Sequence, residues 1–467
     1  MVIAISNPRD LAVLALRDRD GNVSASIERR VATAGLSPAD GNLARELALG
    51  VERRRASLEA IARGYLAQPG RNLPGALNQI ITVAIYQLLY LERIPAFAAV
   101  NEAVEQAERF HHRRQSGLVN GLLRTILRKV SDVQHGPVPA ARDVIPIGPD
   151  SYRRSEAPVF PDPAASPAAY LAAAYSLPME LSERWIANLG SLDKAVAAAT
   201  QANVRAPLIV RVNSARATVE AVLAELAAAG VAARAHENGL SIVLDDTRDV
   251  TRLDAFARGA FQPQDPTANG VGLACGVRPG MKVLDLCAAP GTKTTHLAEL
   301  MGNQGCIVAA DVSQEKLDRI AESCRRMGIT IVQPILADGV GSLESGGFDL
   351  VLADVPCSNT GVLARRAEAR WRFSHEALSK LVEDQKFLAR AAGHFVRPGG
   401  RLVYSTCSIE PRENGEVARW LARSEPPVRL VREELTMPAG AADPTAWHDG
   451  GYLAVFEVKV EGEPASA

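Results

Sequence analysis

The stretch VLDLCAAPGTKTTHLAEL, residues 283–300, decides the fold of the second half of the chain. Its apolar start predicts a buried strand, and the segment after the turn predicts a helix. Small residues in the turn, at Ala288, Ala289 and Gly291, allow a ligand to approach the backbone closely. The turn has neither the GxGxxG nor the GxxxxGKS/T pattern, which disfavours a dinucleotide pyrophosphate site and a P-loop.

Strands and helices continue to alternate after this stretch. We predict strands at KVLDLC, CIVAAD, ITIVQPI, FDLVLAD and RLVYST. Helices are predicted between most of them, at THLAELM, QEKLDRIAESCRRMG and ALSKLVEDQKFLARAAGHF. This alternation predicts an α/β, doubly wound and mostly parallel sheet, in which ligands bind at the carboxyl ends of the strands.

Acidic residues end the second and third predicted strands. Asp311 ends the second strand, 24 residues after Cys287, where a carboxylate suits a ribose diol. Asp338 ends the third strand, where it can accept a hydrogen bond from an adenine amino group. Helix capping is the competing interpretation for each acid taken alone. Together with the small-residue turn after the first strand, the two acids predict a ribose-bearing cofactor, with S-adenosylmethionine as the candidate.

The cysteines of this half fall into different settings. Cys357 and Cys407 directly follow the fourth and fifth predicted strands, on the rim of the sheet where ligands bind. Cys275, Cys306 and Cys324 are interpreted as small hydrophobic residues of the core. The sequence has no CxxC pair, and we predict no metal site.

The whole chain of 467 residues predicts several domains. Residues 1–130 have apolar residues at helical spacing and predict an all-α bundle of five to seven helices. Residues 131–166 are rich in Pro and predict a linker. Residues 167–265 predict a small α/β module, and residues 266–460 the large α/β domain. Residues 1–130 contain 18 Lys and Arg against 12 Asp and Glu, a charge that hints at a polyanion-binding domain.

Nothing in the sequence predicts export or membrane insertion. The start, MVIAISNPRD, lacks the long apolar segment of a secretory signal. The longest apolar run, IITVAIYQLLYL at residues 80–91, is too short to span a bilayer and predicts a core helix. We therefore expect a cytoplasmic protein with no membrane partner.

Several of the motifs carry a family resemblance. LDLCAAPGTKT, DVPCSNTG and YSTCSIEPRENGEV resemble the motifs of the RNA cytosine-C5 methyltransferases of the NOL1/NOP2/Sun family. Nearly the whole chain resembles the bacterial small-subunit rRNA subgroup of that family, the RsmB/Fmu/Sun type. The segment from YQLLYLERIP to NGLLRTILR resembles the helical NusB-like RNA-binding domain of this subgroup, and FARGAFQPQDPTA resembles the entry to its catalytic domain.

The resemblance implies a fold and a reaction. It implies a Rossmann-like class I methyltransferase domain that methylates C5 of a specific cytosine in 16S rRNA through a covalent Cys–C6 adduct. It assigns the nucleophile to Cys407, product release to Cys357, and contact with the N3/N4 edge of the base to Asp354. It assigns the binding of S-adenosylmethionine to Cys287, Ala288, Ala289, Pro290, Gly291, Thr292, Lys293, Asp311, Asp338 and Asp354. A monomer that binds small-subunit rRNA is expected.

The surroundings of the two cysteines in the sequence agree with these roles. A thiolate is the attacking form of cysteine, and Asp354 close to Cys357 disfavours a thiolate there. Cys407 has no acid within two residues. The segment PRENGEVARWLA that follows it is predicted to be a helix, whose N-terminal N–H groups would stabilise a thiolate.

Two positions depart from the family pattern. The family usually has Gly where this chain has Thr292, and Gly or Ala where it has Asn359. Asn tolerates a positive φ and Thr does not, so we expect ordinary backbone at Thr292 or a slightly reshaped loop. Neither change removes a reacting group, and we expect an active enzyme.

The RNA-binding residues and the substrate leave alternatives open. The segments ERRR (52–55), RFHHRRQ (109–115) and RRAEARWR (365–372) are candidate phosphate contacts, with Trp371 stacking or packing. A solvated basic surface is the alternative for each. The same chemistry on tRNA, or an idle RNA-binding assembly factor, are the alternatives to rRNA methylation.

Overall fold

The computed structural model describes residues 7–18, 22–68, 70, 73–245, 250–425 and 427–458. The outer ends of the first and last predicted domains, and most of the segment inspected for a secretory signal, lie outside these residues. The chain forms two compact units. The first runs to Val204 and includes Arg366–Ser374, and the second contains Arg205–Arg365 and the chain from His375 onward.

The first unit begins with a helical bundle. Its helices are α1 Pro8–Arg17, α2 Val23–Thr33, α3 Pro38–Tyr65, α4 Gly75–Tyr90, α5 Ala96–Arg109 and α6 Ser116–Lys129. The Ser37 side chain caps α3 by accepting a hydrogen bond from the Asp40 N–H. Leu47, Val51 and Leu58 lie on one face of α3 and are buried, as their helical spacing predicts. The predicted all-α bundle is confirmed.

The predicted linker at residues 131–166 contains a small sheet instead. Strands β1 Gln134–His135, β2 Val144–Gly148 and β3 Ser151–Arg154 form an antiparallel sheet in the order β1-β3-β2. Val144 and Ile145 are fully buried, and the Arg54 guanidinium donates to the Ile147 carbonyl at 2.9 Å. Strands this short show no clear alternation of apolar and polar residues in the sequence. The Pro-rich composition therefore led to the prediction of a linker where the chain forms a sheet.

The predicted module at residues 167–265 is divided between the two units. Helices α7 Pro167–Tyr175, α8 Met179–Leu189 and α9 Leu192–Asn203 belong to the first unit. The second unit begins with β4 Leu208–Val212, α10 Val219–Ala228, β5 Ala233–Ala235, β6 Ser241–Leu244, α11 Asp254–Ala257 and β7 Phe261–Pro263. These strands form an antiparallel sheet in the order β5-β6-β4-β7, with Val222 and Leu226 of α10 in its core.

The large sheet follows in the second unit. Its elements are α12 Pro266–Ala274, β8 Lys282–Asp285, α13 Thr292–Leu300, β9 Cys306–Asp311, α14 Gln314–Met327, β10 Val332–Leu336, β11 Phe348–Asp354, α15 His375–Phe395, β12 Val396–Thr406, α16 Gly415–Leu421, β13 Val428–Thr436 and β14 Gly451–Val458. The strand order is β10-β9-β8-β11-β12-β14-β13. The first five strands in this order are parallel, whereas β14 and β13 pair antiparallel.

The doubly wound, mostly parallel sheet predicted from the sequence is confirmed. Each of the five predicted strands is present, and the apolar side chains of β8, β9, β11 and β12 form the core. The strands β13 and β14 were not predicted. Because β8 to β12 are parallel, their carboxyl ends meet at one edge of the sheet, which is called the catalytic edge below. None of the helices among the described residues is long and apolar enough to cross a membrane.

Candidate active site

The loop after β8 turns sharply at the catalytic edge. Gly291 has φ 94° directly before α13, and a Cβ atom at this position would lie 2.9 Å from Ile320 Cγ1. Both facts require glycine. Thr292 is the first residue of α13 and has ordinary helical backbone, as expected for a β-branched residue.

Asp311, at the end of β9, reaches this loop. Its Oδ2 accepts a hydrogen bond from the Ala289 N–H at 3.2 Å, and its Oδ1 lies 3.3 Å from Lys316 Nζ. The carboxylate therefore faces the small-residue loop rather than capping α14, whose N-cap is Ser313. Asp338 is exposed in the 3-10 turn that follows β10, the strand next to β9 in the sheet.

Lys293 and Asp354 form an ion pair across the catalytic edge. Lys293 Nζ lies 2.6 Å from Asp354 Oδ2, and Ser405 Oγ donates to Asp354 Oδ1 at 2.6 Å. Burial lowers the pKa of Lys293, but the Asp354 carboxylate outweighs this, and the pKa lies above its usual value. Lys293 therefore stays a cation. The contacts with Lys293 and Ser405, one to each carboxylate oxygen, fix the orientation of the Asp354 side chain.

The two catalytic-edge cysteines lie side by side. Asp354 of β11 is in register with Ser405 of β12, and Cys357 and Cys407 follow these two residues closely. Their Sγ atoms are 3.1 Å apart, well beyond the roughly 2.0 Å of a disulfide bond. The predicted placement of both thiols on one rim is confirmed, and the structure adds that the sulfurs are in contact.

Cys357 is held as a thiol, for a reason that differs from the predicted one. A hydrogen bond with Cys407, burial and the nearby charge of Glu413 together raise the pKa of Cys357 well above its usual value. The sequence attributed this effect to Asp354. In the structure, that carboxylate is bound to Lys293 and Ser405 instead.

Cys407 has different neighbours. Its Sγ lies 3.3 Å from Asn359 Oδ1, and it is among the groups that raise the pKa of Lys293. Lys293 and Cys407 therefore interact electrostatically. The predicted helix after Cys407 begins only at Gly415 and has seven residues, so it is too distant and too short for the stabilisation that was expected from it. Asn359 has φ 62°, which Asn tolerates.

Of the four arginines in the basic segment at residues 365–372, Arg366 and Arg372 are exposed and stay candidate phosphate contacts, whereas Arg365 and Arg370 are bound within the protein. Arg370 is fully buried in the first unit. Its guanidinium donates to the carbonyls of Arg53, Ser176 and Ala202 at 2.9–3.1 Å. Arg365 is bound to Asp449 at 2.5 Å in the second unit. Since both guanidinium groups are occupied within the protein, neither is available to a phosphate.

The predicted contacts at residues 52–55 are also structural. Arg54 is 5% exposed, and the guanidinium of Arg55 lies 4.7 Å from the centre of the Trp371 ring. Trp371 Nε1 donates to the Glu52 carbonyl at 3.2 Å, so Trp371 packs within the first unit. In the segment 109–115, Arg113 and Arg114 are exposed and remain candidate phosphate contacts.

Reasoning from the sequence missed the partners that hold the reacting groups. Ser405 lies directly before the TC pair, and Glu413 lies inside the quoted PRENGEV segment, yet neither received a role. Glu413 is fully buried. A charged residue next to a catalytic motif is a detectable signal, but its burial depends on how the loops fold.

The fold and this edge define a class of protein. A mostly parallel sheet with a small-residue loop after β8, acids at successive strand ends and two thiols in contact is typical of Rossmann-like RNA methyltransferases that use cysteine. The family model of the 16S rRNA methyltransferase RsmB/F matches residues 274–446. The NusB family model matches residues 6–128, and the RsmF/B-like ferredoxin-like domain matches residues 177–251.

Similar proteins cover nearly the whole chain. The probable ribosomal RNA small subunit methyltransferase B of Synechocystis sp. is 33% identical over 437 residues, which cover 90% of this chain and 91% of that protein. The ribosomal RNA small subunit methyltransferase B of Sodalis glossinidius is 32% identical, over 86% and 85% of the two chains. The crystal structure of PH0851 has the same fold, with a TM-score of 0.71 and 23% identity over 97% and 99%. The chain belongs to the RsmB/F family of 16S rRNA methyltransferases.

Proposed function

We propose that this protein uses S-adenosylmethionine to methylate C5 of a specific cytosine in 16S rRNA, through a covalent bond between Cys407 Sγ and C6 of the base. The observation that carries the proposal is the contact of the Cys357 and Cys407 sulfurs, 3.1 Å apart, beside the Lys293–Asp354 ion pair. Membership of the family supports the rRNA substrate.

The residues at the catalytic edge fit S-adenosylmethionine. The loop Cys287–Gly291 has no bulky side chain, and Asp311 beside it offers a carboxylate to the ribose hydroxyls. Asp338 is exposed at the neighbouring strand end and would meet the adenine. Thr292, Lys293 and Asp354 complete the set assigned to the cofactor. When bound, S-adenosylmethionine supplies an electrophilic methyl group.

Activation of the base falls to Cys407. Cytosine C5 is a weak carbon nucleophile until a thiolate adds to C6, which places an electron pair on C5 and negative charge toward N3. Lys293, as a cation near Cys407, favours the attacking thiolate. Asp354, fixed by Lys293 and Ser405, would accept a hydrogen bond from the 4-amino group and orient the base.

Release of the product falls to Cys357. After methylation, a base removes the C5 proton, the C5–C6 double bond reforms, and the C6–S bond breaks to return its electron pair to Cys407. The Cys357 thiol, which keeps its proton, is in place to donate a hydrogen bond or a proton to that departing sulfur.

The proposal also covers the oligomeric state, the location and the RNA-binding domain of the protein. The assigned groups all lie in the second unit, and we propose that the protein acts as a monomer. An rRNA substrate supports a cytoplasmic location. The NusB-like domain, with exposed Arg113 and Arg114, is proposed to bind RNA, and it favours rRNA over tRNA.

Methyl transfer from radiolabelled S-adenosylmethionine tests the proposal. The purified chain is incubated with naked 16S rRNA, assembled 30S subunits and total tRNA, and 5-methylcytosine is located by sequencing. We expect label at a single cytosine of 16S rRNA. Label in tRNA alone would establish the tRNA alternative. Absence of transfer to every RNA would leave the protein as an assembly factor.

A further inference from the structure

The two loops that carry the cysteines share one buried acceptor, Glu413. Its side chain is fully buried. Its charge helps to keep Cys357 a thiol, and the proposed reaction gives it no contact with the substrate or the cofactor. Its Oε1 accepts a hydrogen bond from the Ser358 N–H at 2.8 Å, and its Oε2 accepts one from Ser408 Oγ at 2.5 Å. Ser358 directly follows Cys357, and Ser408 directly follows Cys407.

Two further donors complete the cluster. Gln385 Nε2, from α15, donates to Glu413 Oε1 at 2.9 Å, and the Ser358 hydroxyl donates to Oε2. The same Gln385 amide also donates to the Pro356 carbonyl at 2.9 Å. A carboxylate has about four acceptor positions, so this cluster uses them all.

The backbone of Glu413 is itself anchored. The Tyr404 hydroxyl, from β12, donates to the Glu413 carbonyl at 2.6 Å. Glu413 is therefore fixed to β12. Its carboxylate in turn binds each cysteine loop through the serine directly after the cysteine, which is Ser358 or Ser408. The strands β11 and β12 are paired in register only up to Asp354 and Ser405. Beyond them the Gly361 N–H donates to the Cys407 carbonyl at 3.1 Å, and the contacts of Glu413 join the residues directly after the two cysteines.

We propose that Glu413 is a positioning residue that sets the separation of the Cys357 and Cys407 sulfurs. Together with the release role in the proposed function, this makes Glu413 necessary for freeing the product and not for binding the cofactor. A glutamine of the same size keeps one oxygen for the Ser358 N–H and Gln385, but it presents N–H groups to the Ser358 and Ser408 hydroxyls. Both hydroxyls would have to turn and accept instead of donate, and the negative charge that holds all four donors would be lost.

The test compares Glu413→Gln with Glu416→Gln, the same change at an exposed position nearby. Diamide oxidises a pair of neighbouring thiols to a disulfide and takes up their two electrons and two protons. Coupling between Cys357 and Cys407 is followed by peptide mass spectrometry without RNA. Its rate, divided by the rate at which iodoacetamide alkylates Cys357 in the same variant, reports the separation of the sulfurs independently of the charge that Glu413 places near Cys357. Thermal unfolding followed by circular dichroism shows whether each variant is folded.

We expect Glu413→Gln to couple its thiols roughly 10- to 100-fold more slowly than the wild type, because a displacement of about 1 Å has effects of this size on reacting groups. Its kcat should fall, a denaturant-stable RNA adduct should accumulate, and the KM for S-adenosylmethionine should stay unchanged. Glu416→Gln should match the wild type in every measurement. Coupling at the wild-type rate in a folded Glu413→Gln protein would overturn the proposal, whatever the methylation result.

A second variant keeps the proposal testable if Glu413→Gln does not fold. Ser408→Ala removes one of the four donors and keeps the carboxylate, so it should slow coupling by a smaller factor. Wild-type coupling in Ser408→Ala would then overturn the proposal. Failure of the proposed function is distinguishable, because it shows as a lack of methyl transfer by the wild type, which thiol coupling does not register.

Discussion

Cys407 and Cys357 differ in what surrounds their sulfurs, and this difference predicts opposite phenotypes. Cys407 lies near the Lys293 cation, which favours the thiolate that attacks, whereas the pKa of Cys357 is raised and its thiol keeps the proton. We expect Cys407→Ala to abolish both methyl transfer and covalent capture of RNA. Cys357→Ala should retain capture and accumulate an adduct that survives denaturing electrophoresis.

The adduct experiment also tests the assignment of roles. Cys306→Ala is a suitable control, because Cys306 begins β9 and so lies at the end of that strand opposite the catalytic edge. This control should turn over and release its product. An adduct in the Cys407 variant with none in the Cys357 variant would exchange the two roles.

At the scale of elements, the turn between β8 and α13 depends on one glycine. Gly291→Ala places a Cβ atom 2.9 Å from Ile320 Cγ1 at φ 94°. The left-handed backbone alone costs about 1–2 kcal/mol for an L-residue, and the clash adds to it. We expect a lower free energy of unfolding in urea and a higher KM for S-adenosylmethionine, because the loop moves.

A second glycine provides the comparison. Gly270 lies inside α12 and has open space around its Cα, so Gly270→Ala meets no atom within 4 Å. Alanine is preferred over glycine in a helix, and this variant should be as stable as the wild type or up to about 1 kcal/mol more stable. Equal stability of the Gly291 and Gly270 variants would contradict the assignment of strain to the turn.

At the scale of the whole molecule, the chain passes from the second unit into the first at Arg366 and returns after Ser374. Arg370 holds this segment in the first unit through hydrogen bonds to several carbonyls. Arg370→Met would leave these buried acceptors without a donor, and we expect a loss of about 2–4 kcal/mol in the free energy of unfolding.

Chemical denaturation of Arg370→Met, beside Arg372→Met, measures this loss. Arg372 lies in the same 3-10 turn and is exposed, so its replacement should change stability by less than about 0.5 kcal/mol. Similar values for the two variants would show that the buried guanidinium of Arg370 contributes nothing to stability.

The sequence by itself determined the large sheet and the position of the candidate reacting groups at the ends of its strands. Apolar runs bounded by turns predict β8 to β12 locally, and the motifs around Cys357 and Cys407 are contiguous stretches of chain. The alternation of apolar and polar residues was too weak to predict the short strands β1 to β3. The antiparallel strands β13 and β14 were not predicted because they do not belong to the βαβ alternation.

Only the tertiary structure decided which side chains meet. The two sulfurs meet where folding brings together the loops that follow β11 and β12, whose ends are in register at Asp354 and Ser405, and both loops bond to Glu413. Arg370 lies in a basic stretch that resembles a phosphate contact, yet it is buried against carbonyls that are distant in sequence. Charge and spacing are local properties, whereas burial and pairing depend on segments that folding brings together from far apart in the chain.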